Sequence, residues 1–529
     1  MTSVALSARG GLHGSPRAPL RVGPRATLAI LVVIALAAHF FMAMSHENHW
    51  GVDGGAYLLS RNAVLGDEPT GAGFARPLLA PGWQLVPFTS ALGDDLGYKA
   101  WSSIAATFPI LAIYLLARLF LTRWQSVFAA FFASIDMLHA EMFVTGALPL
   151  VGFSLIAVAI WAITRLFDFF DAHWRHLAIL AITIPVLAHV NHTASGLALI
   201  ILPVYMLSLN GFDRPADGLP SLGWKTRVLG TPLSQFPAML ALGVGALVAL
   251  TALPYYLDVH PIGGVLDYPG RLIYLTYWPD SAWFQFAIAI PVAYWLIRFG
   301  RKPVIRSFGV VIGVLAVLLT LLSTDETVIN IFYRSRYLIA FFLYPAVAWL
   351  TFRYWWPALK GRLRPVAWAA MVVVAGLLGW EYVRSVDGQA QYSDMVTVAT
   401  AEALSELRNA EATPGREGIV SNAFTLALWV SAMNKVDSPH PWTWTPPPHF
   451  AASDAQVRCV LGWVAGCDVA AAARGLGVGH VLVDTRFPYY SPRAPGNYLA
   501  PPDQWTVTAE APWLTLVYDE ATTKVWRID

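Results

Sequence analysis

Apolar residues along the chain come in blocks of roughly 15 to 22, separated by short polar or basic stretches, the length at which a helix crosses about 30 Å of hydrocarbon. The blocks predict spans at approximately 26–44, 100–121, 124–138, 143–165, 177–190, 193–209, 233–253, 282–297, 304–322, 337–352 and 365–380, about eleven helices by that rule. A lipid-exposed β-barrel is excluded, because its segments would be shorter and would alternate. The first block is followed by "AMS", a weak signal-cleavage site, but its length and the further spans make it a retained anchor.

From Glu381 the pattern changes. "MVTVATAEALSELRNA" has helical periodicity, "GIVSN" reads as a strand, and "FTLALWVSAM" and "DVAAAARGLG" read as helices. "HVLVDT" is a second strand, and "WLTLVYD" and "TKVWRID" form a closing hairpin around "EATT". Residues 381–529 are therefore predicted to be a small α/β domain, after a basic tail at 1–25 and a membrane domain at 26–380. The glycines of "GLGVG" follow a helix and enter a strand, so they read as a helix stop and not as a phosphate-cradling loop. No internal repeat suggests an inverted-repeat transporter.

Composition agrees with a polytopic membrane protein: 56% of the 529 residues are hydrophobic and 13% are charged. Basic residues orient it. The tail with Arg9, Arg17, Arg21 and Arg25 shares one face with loops such as Arg118–Arg123, Arg298–Arg306 and Arg353–Arg364. The opposite loops hold only Arg61, Arg76, Lys99, Arg271, Arg334 and Arg336 before residue 381. The crowded face is expected to be cytoplasmic, placing the N-terminus inside and the C-terminal domain outside a plasma or inner membrane. The sparse face also carries the acids, and its two long loops, 46–99 and 254–281, are rich in Trp, Tyr, Gly and Pro, as expected of ordered loops lining a cavity.

The first of those loops opens with "HENHWGVDGGAYLLSRN". Asp53 stands just beyond the first span, and Tyr57 shares its side if the segment is helical. The plain role for Asp53 is an N-cap for an interfacial helix "AYLLSRNAVLG" with Arg61 facing outward. That role is compatible with a chemical one. His139, Glu141, His189 and His192 map near the outer ends of neighbouring spans. Their two uses are a divalent-metal site, since imidazole and carboxylate are common ligands, or polar capping of helix ends and acceptor contacts. Cys459 and Cys467 are either a local disulfide of an oxidising compartment or two small buried thiols. Arg334 and Arg336 in "YRSRY" either serve a function at the membrane edge or anchor the helix end at lipid headgroups.

Several segments together carry a resemblance. These are "VDGGAYLLSRNAVLGD", the Pro-rich "ARPLLAPGWQLVPFTSALGDDLGYKAWSSIAATFPILAIYLLARLF", and the later "MLHAEMFVTGALPLVGFSLIAVAIWAITR", "VLAHVNHTASGLALIILPVYML" and "FYRSRYLIAFFLYPAVAWL". They resemble the GT-C superfamily of polytopic glycosyltransferases, in the branch of protein O-mannosyltransferases and aminoarabinose lipid A transferases. The resemblance covers roughly 26–380, and an outer C-terminal domain also recurs in such enzymes. It implies a cell-envelope enzyme that takes a sugar from a polyprenyl-phosphate donor in the membrane and passes it to an acceptor hydroxyl on the outer face. The acceptor, whether lipid, glycan or protein, is left open, and no nucleic-acid partner is expected.

Such a reaction needs a carboxylate to take the hydroxyl proton and cations to neutralise the departing lipid phosphate. The resemblance makes Asp53 the base. The family's loop acid often has an acidic neighbour, whereas here two glycines follow, so the second acid stays open among Asp67–Glu68, Asp94, Asp95, Asp136 and Glu141. Arg334, Arg336, Arg271 and Arg76 become the phosphate ligands, with Tyr57, His139, His189 and His192 lining the substrate. The resemblance fixes no cofactor and leaves a divalent metal as an open option. The rival readings are a transporter or lipid flippase, which would place charges or Pro/Gly breaks near mid-membrane, and a sensor whose outer domain binds a ligand.

Overall fold

The computed structural model describes residues 23–46, 54–65, 79–136, 139–140, 142–143, 147–168, 173–190, 192–212, 227–228, 231–232, 280–322, 335–361, 363–393, 418–421, 456, 459–460, 466–484, 512–520 and 523–529. The chain is an α-helical polytopic membrane protein with a small sheet near its C-terminus. The first apolar block forms α1 (Pro24–Met44). The loop predicted at 46–99 contains two helices, α2 (Gly54–Leu65) and α3 (Leu79–Leu92). The second span begins six residues earlier than its apolar pattern suggests, as α4 (Asp94–Ala105) continuing into α5 (Phe108–Ala117). Asp94 and Asp95 sit in the first turn of α4, where carboxylates favour the helix dipole, and an Asp95–Lys99 pair spans the next turn.

The helix α6 (Arg123–Ala133) starts at a capping box built by Thr122 and Gln125. It ends well short of the predicted 138, so its 11 residues rise only about 16 Å. Ser134 turns its hydroxyl back on the Phe131 carbonyl there, and Asp136 leaves the helix.

The remaining spans follow as α7 (Leu148–Asp168), α8 (His173–Val190), α9 (His192–Phe212), α10 (Asp280–Phe299), α11 (Pro303–Leu322) and α12 (Ser335–Leu350). The last apolar helix, α13 (Leu363–Ser393), runs through 381 without a break. Pro185, Pro203, Pro291 and Pro345 lie within continuous helices. Among the described residues five helical stretches are long and apolar enough to cross a membrane: Pro24–Met44, Asp94–Ala117, Leu148–Leu166, Arg336–Ala358 and Leu363–Asp387. The predicted span 233–253 and the loop 254–281 lie outside the described residues.

The packed centre is α12, which meets α5, α6, α10 and α11 and buries Tyr337, Phe341 and Phe342 completely. On one flank α7 packs against α5, α8 and α9, while α1 lies along α4 and α6. Gly97 lets α4 touch α3. A Cβ there would stand 2.7 Å from the Phe88 carbonyl and from the Thr89 Cα.

A two-residue antiparallel pair, β1 (Arg227–Val228) and β2 (Thr231–Pro232), follows α9, and toward the C-terminus β3 (Gly418–Ser421), β4 (Val478–Asp484), β5 (Leu514–Glu520) and β6 (Thr523–Ile528) form one sheet in the order β3-β4-β6-β5. The β3–β4 pair is parallel, and β5 and β6 make the predicted antiparallel hairpin. The helix α14 (Val469–Leu476) ends at Gly477 in the left-handed conformation, φ 66°, which is the helix stop read from "GLGVG". Strand alternation gives the sheet two apolar faces. Val420, Val481 and Trp526 pack with α14 and Cys459, whereas Ile419, Leu482 and Val525 join the cluster that contains Tyr382 and Val386 of α13. Cys459 and Cys467 are joined as a disulfide, Cα atoms 5.9 Å apart.

Candidate active site

Two polar layers lie at the same end of the helical bundle, both touching the last turns of α1. The first surrounds the start of α4. Arg61 of α2 is buried rather than outward-facing, and its guanidinium forks onto Asp94, Nη1 to Oδ1 and Nη2 to Oδ2, the latter at 3.0 Å. The outward expectation fails because α3 and α4 cover α2, and a charge so enclosed persists when it is paired. Its Nε and Nη2 also donate to the Asn62 side-chain oxygen, at 3.0 and 2.6 Å.

Beside this pair, the buried Lys99 ammonium bonds Asp95 at 3.0 Å and donates to the His46 backbone carbonyl at 2.9 Å. That second bond fixes the exit of α1, seven residues before Asp53. Tyr57, Tyr98 and Trp101 stack alongside, with ring centroids 5.8 to 6.3 Å apart.

The second layer is centred on the connection between α6 and α7. Asp136 is 2% exposed, and one carboxylate oxygen lies 3.6 Å from His139 Nε2. Tyr344 of α12 stands near enough to the same carboxylate to feel its charge. Burial holds the His139 imidazole below its ordinary range, against the pull of Asp136, and its ring packs on Phe341 at 5.3 Å. Beyond it His39 of α1 and Tyr382 of α13 share a hydrogen bond of 2.5 Å, and the His39 ring rests on Phe143 at 4.8 Å. His39 precedes His46 by seven residues, so the layers stand about 10 Å apart along α1.

Arg336 opens α12 almost fully buried. Its guanidinium lies over the Tyr337 ring, 4.5 Å from the centroid, and donates to the Tyr337 hydroxyl. A buried, stacked guanidinium is more than a headgroup anchor.

The sequence-derived candidates divide accordingly. Asp94 and Asp95 hold cations of the first layer, Tyr57 joins its aromatic stack, and Asp136 and His139 form the second layer. His189 falls in the last turn of α8 and His192 starts α9. Asp53, Arg76, Glu141, Arg271 and Arg334 lie outside the described residues. Among the described residues no three His, Cys, Asp or Glu side chains gather as a metal site; Asp136 and His139 are a pair.

Sequence reasoning passed over Arg61, Lys99, His39, Tyr344 and Tyr382 as site residues. The i, i+4 spacing of Asp95 and Lys99 and a lone histidine within the apolar first span were the available signals.

No protein-family model and no curated protein sequence matches the chain. Solved structures do. The apo oligosaccharyltransferase of Archaeoglobus fulgidus superposes with a TM-score of 0.57 at 12% identity, covering 96% of this chain and 75% of that one. The oligosaccharyltransferase AglB of the same organism, in complex with an inhibitory peptide and a dolichol-phosphate, gives 0.55 at 13% identity over 88% and 69%. Apo ArnT from Cupriavidus metallidurans gives 0.52 at 14% identity over 94% of this chain and 97% of that one. At such identities the likeness is one of fold.

Proposed function

We propose that this chain, which has the fold of the GT-C polytopic membrane glycosyltransferases, transfers a sugar from a polyprenyl-phosphate-linked donor to an acceptor hydroxyl on the extracytoplasmic face. The observation that carries this reading is the shared fold over nearly the whole chain, matched in length by ArnT. The dolichol-phosphate in the AglB complex supports a lipid phosphate as the donor's carrier.

In this reading Asp53 takes the acceptor proton, and the hydroxyl oxygen then attacks the anomeric carbon as the bond to the lipid phosphate breaks. Lys99 supports the step indirectly, by pinning the His46 carbonyl and thus the chain leading to Asp53. Asp136 is the second acid the site offers, because Asp94 and Asp95 already balance Arg61 and Lys99, whereas Asp136 faces His139 and Tyr344. Cations at the membrane edge, Arg334 foremost with Arg336, Arg271 and Arg76, neutralise the departing phosphate.

The orientation belongs to the same proposal: basic loops inside, and the two polar layers and the C-terminal domain outside. The disulfide Cys459–Cys467 suits an oxidising compartment. Incubating the purified protein in lipid nanodiscs with a panel of polyprenyl-phosphate-linked pentoses and hexoses tests the reading. Release of free polyprenyl phosphate from at least one donor supports it, and no release from any donor, with or without added divalent metal, contradicts it.

A further inference from the structure

The helix α13 leads from the membrane bundle toward the C-terminal sheet, yet among the described residues just 6% of its most apolar stretch is buried. Its apolar side chains point outward almost all round: Val372 and Trp380 are both 68% exposed, and Val366 and Leu377 are nearly as open. Among its described side chains only Tyr382 and Val386, toward its C-terminal end, are buried. A helix attached so sparingly gets its position from those few contacts.

Tyr382 makes the polar one, the 2.5 Å hydrogen bond to His39 of α1. His39 in turn packs its ring on Phe143, four residues beyond His139 and seven beyond Asp136 in the same connection. Tyr382 and Val386 belong to the large apolar core of the bundle, which Ile419, Leu482 and Val525 of the sheet also join. A single point thus joins the first span, the last span and the connection bearing Asp136 and His139.

We infer that the His39–Tyr382 hydrogen bond is the anchor of α13 and that both are positioning residues, holding the Asp136–His139 connection against α1 and α13. Neither need touch substrate. Losing the bond frees the outer end of α13 and loosens the connection through Phe143. Misplacement of this kind slows a reaction while leaving binding energy largely in place. The kinetic part rests on the transfer reading above; the mechanical part does not.

The test uses the full chain in nanodiscs, with spin labels on Met44→Cys and Val383→Cys. Both parent side chains are exposed, and the native cysteines are occupied in their disulfide. The distance distribution between the labels is expected to broaden in Tyr382→Phe and in His39→Leu, and to narrow again in His39→Gln, which keeps a hydrogen-bonding group. Unchanged widths in both disrupting variants would overturn the anchor. With a transferred sugar as readout, Tyr382→Phe should lower kcat about tenfold at unchanged KM. The double variant Tyr382→Phe/His39→Leu should be no slower than the worse single one. Additive losses, or a rise in KM alone, would overturn the positioning role. If the wild-type chain transfers no sugar, the transfer reading fails, and the label distances still decide the anchor.

Discussion

Arg61 on α2 grips both carboxylate oxygens of Asp94 at the start of α4, joining two helices that the sequence places in one loop. The guanidinium is buried, whereas about a third of the Asp94 side chain is exposed. Solvent therefore screens part of the pair, and breaking it with Asp94→Asn is expected to cost about 1–2 kcal/mol. Arg61→Lys should lose nearly as much, because an ammonium keeps the charge without the fork. Thermal unfolding of both variants in nanodiscs checks this, with equal stability of Arg61→Lys and wild type as the contrary result.

Gly97 offers a sharper packing test. A methyl group there meets the Phe88 carbonyl and the Thr89 Cα at 2.7 Å, both backbone atoms of α3 that cannot swing aside. Gly97→Ala should therefore destabilise the protein by about 1–3 kcal/mol despite the helix propensity of alanine. A neutral or stabilising effect in the same unfolding measurement would show that α3 is not packed there.

The two arginines of "YRSRY" are expected to separate. Arg336 is buried with its guanidinium over Tyr337, so Arg336→Lys should lower stability by losing the stack and the fork. Arg334→Lys should instead weaken binding of a polyprenyl phosphate, since a point charge cannot grip it in bidentate fashion. Titrating polyprenyl phosphate into each variant, with its unfolding temperature measured alongside, distinguishes them. Full lipid affinity in Arg334→Lys would return that residue to a headgroup anchor.

Topology is testable without substrate. A periplasmically active reporter fused after Asp529 should be active, and a cytoplasmically active one silent, because the basic loops alternate with loops poor in Lys and Arg. The same orientation predicts that Cys459 and Cys467 resist a thiol-reactive probe until the protein is reduced. The opposite reporter pattern would invert the bundle and move Asp53 to the wrong side.

Much of this architecture was legible because lipid imposes one rule on every span: an apolar helix of fixed length. The blocks at 26–44, 282–297 and 304–322 lie within a residue or two of α1, α10 and α11 at most ends. In the small sheet, the period-two alternation of "WLTLVYD" and "TKVWRID" located β5 and β6. Hydropathy misled where polar residues complete a helix. It started the second span six residues late, since Asp94, Asp95 and Lys99 are stabilised by ion pairs and the helix dipole instead of by lipid. It carried the third span past Ala133, although Asp136 belongs to the buried connection.

The site was legible only in part, for a related reason. Asp136 and His139 stood out as polar residues at a span end, and the structure joins them. Arg61 read as outward because amphipathicity reports one helix at a time, whereas its partner Asp94 lies 33 residues away on another. The His39–Tyr382 bond links positions 343 residues apart, a pairing that no local pattern can encode.

In the proposed reaction a carboxylate in the first outer loop activates an acceptor for transfer from a lipid-phosphate sugar. Comparing wild type with Asp53→Asn at equal membrane abundance tests it most directly, because asparagine keeps the shape and nearly all the capping capacity of aspartate while removing the proton acceptor. Sugar transfer from the polyprenyl donor should fall by about two orders of magnitude or more, with unfolding temperature nearly unchanged. Near-normal turnover in the asparagine form would contradict the claim and pass the role of base to Asp136.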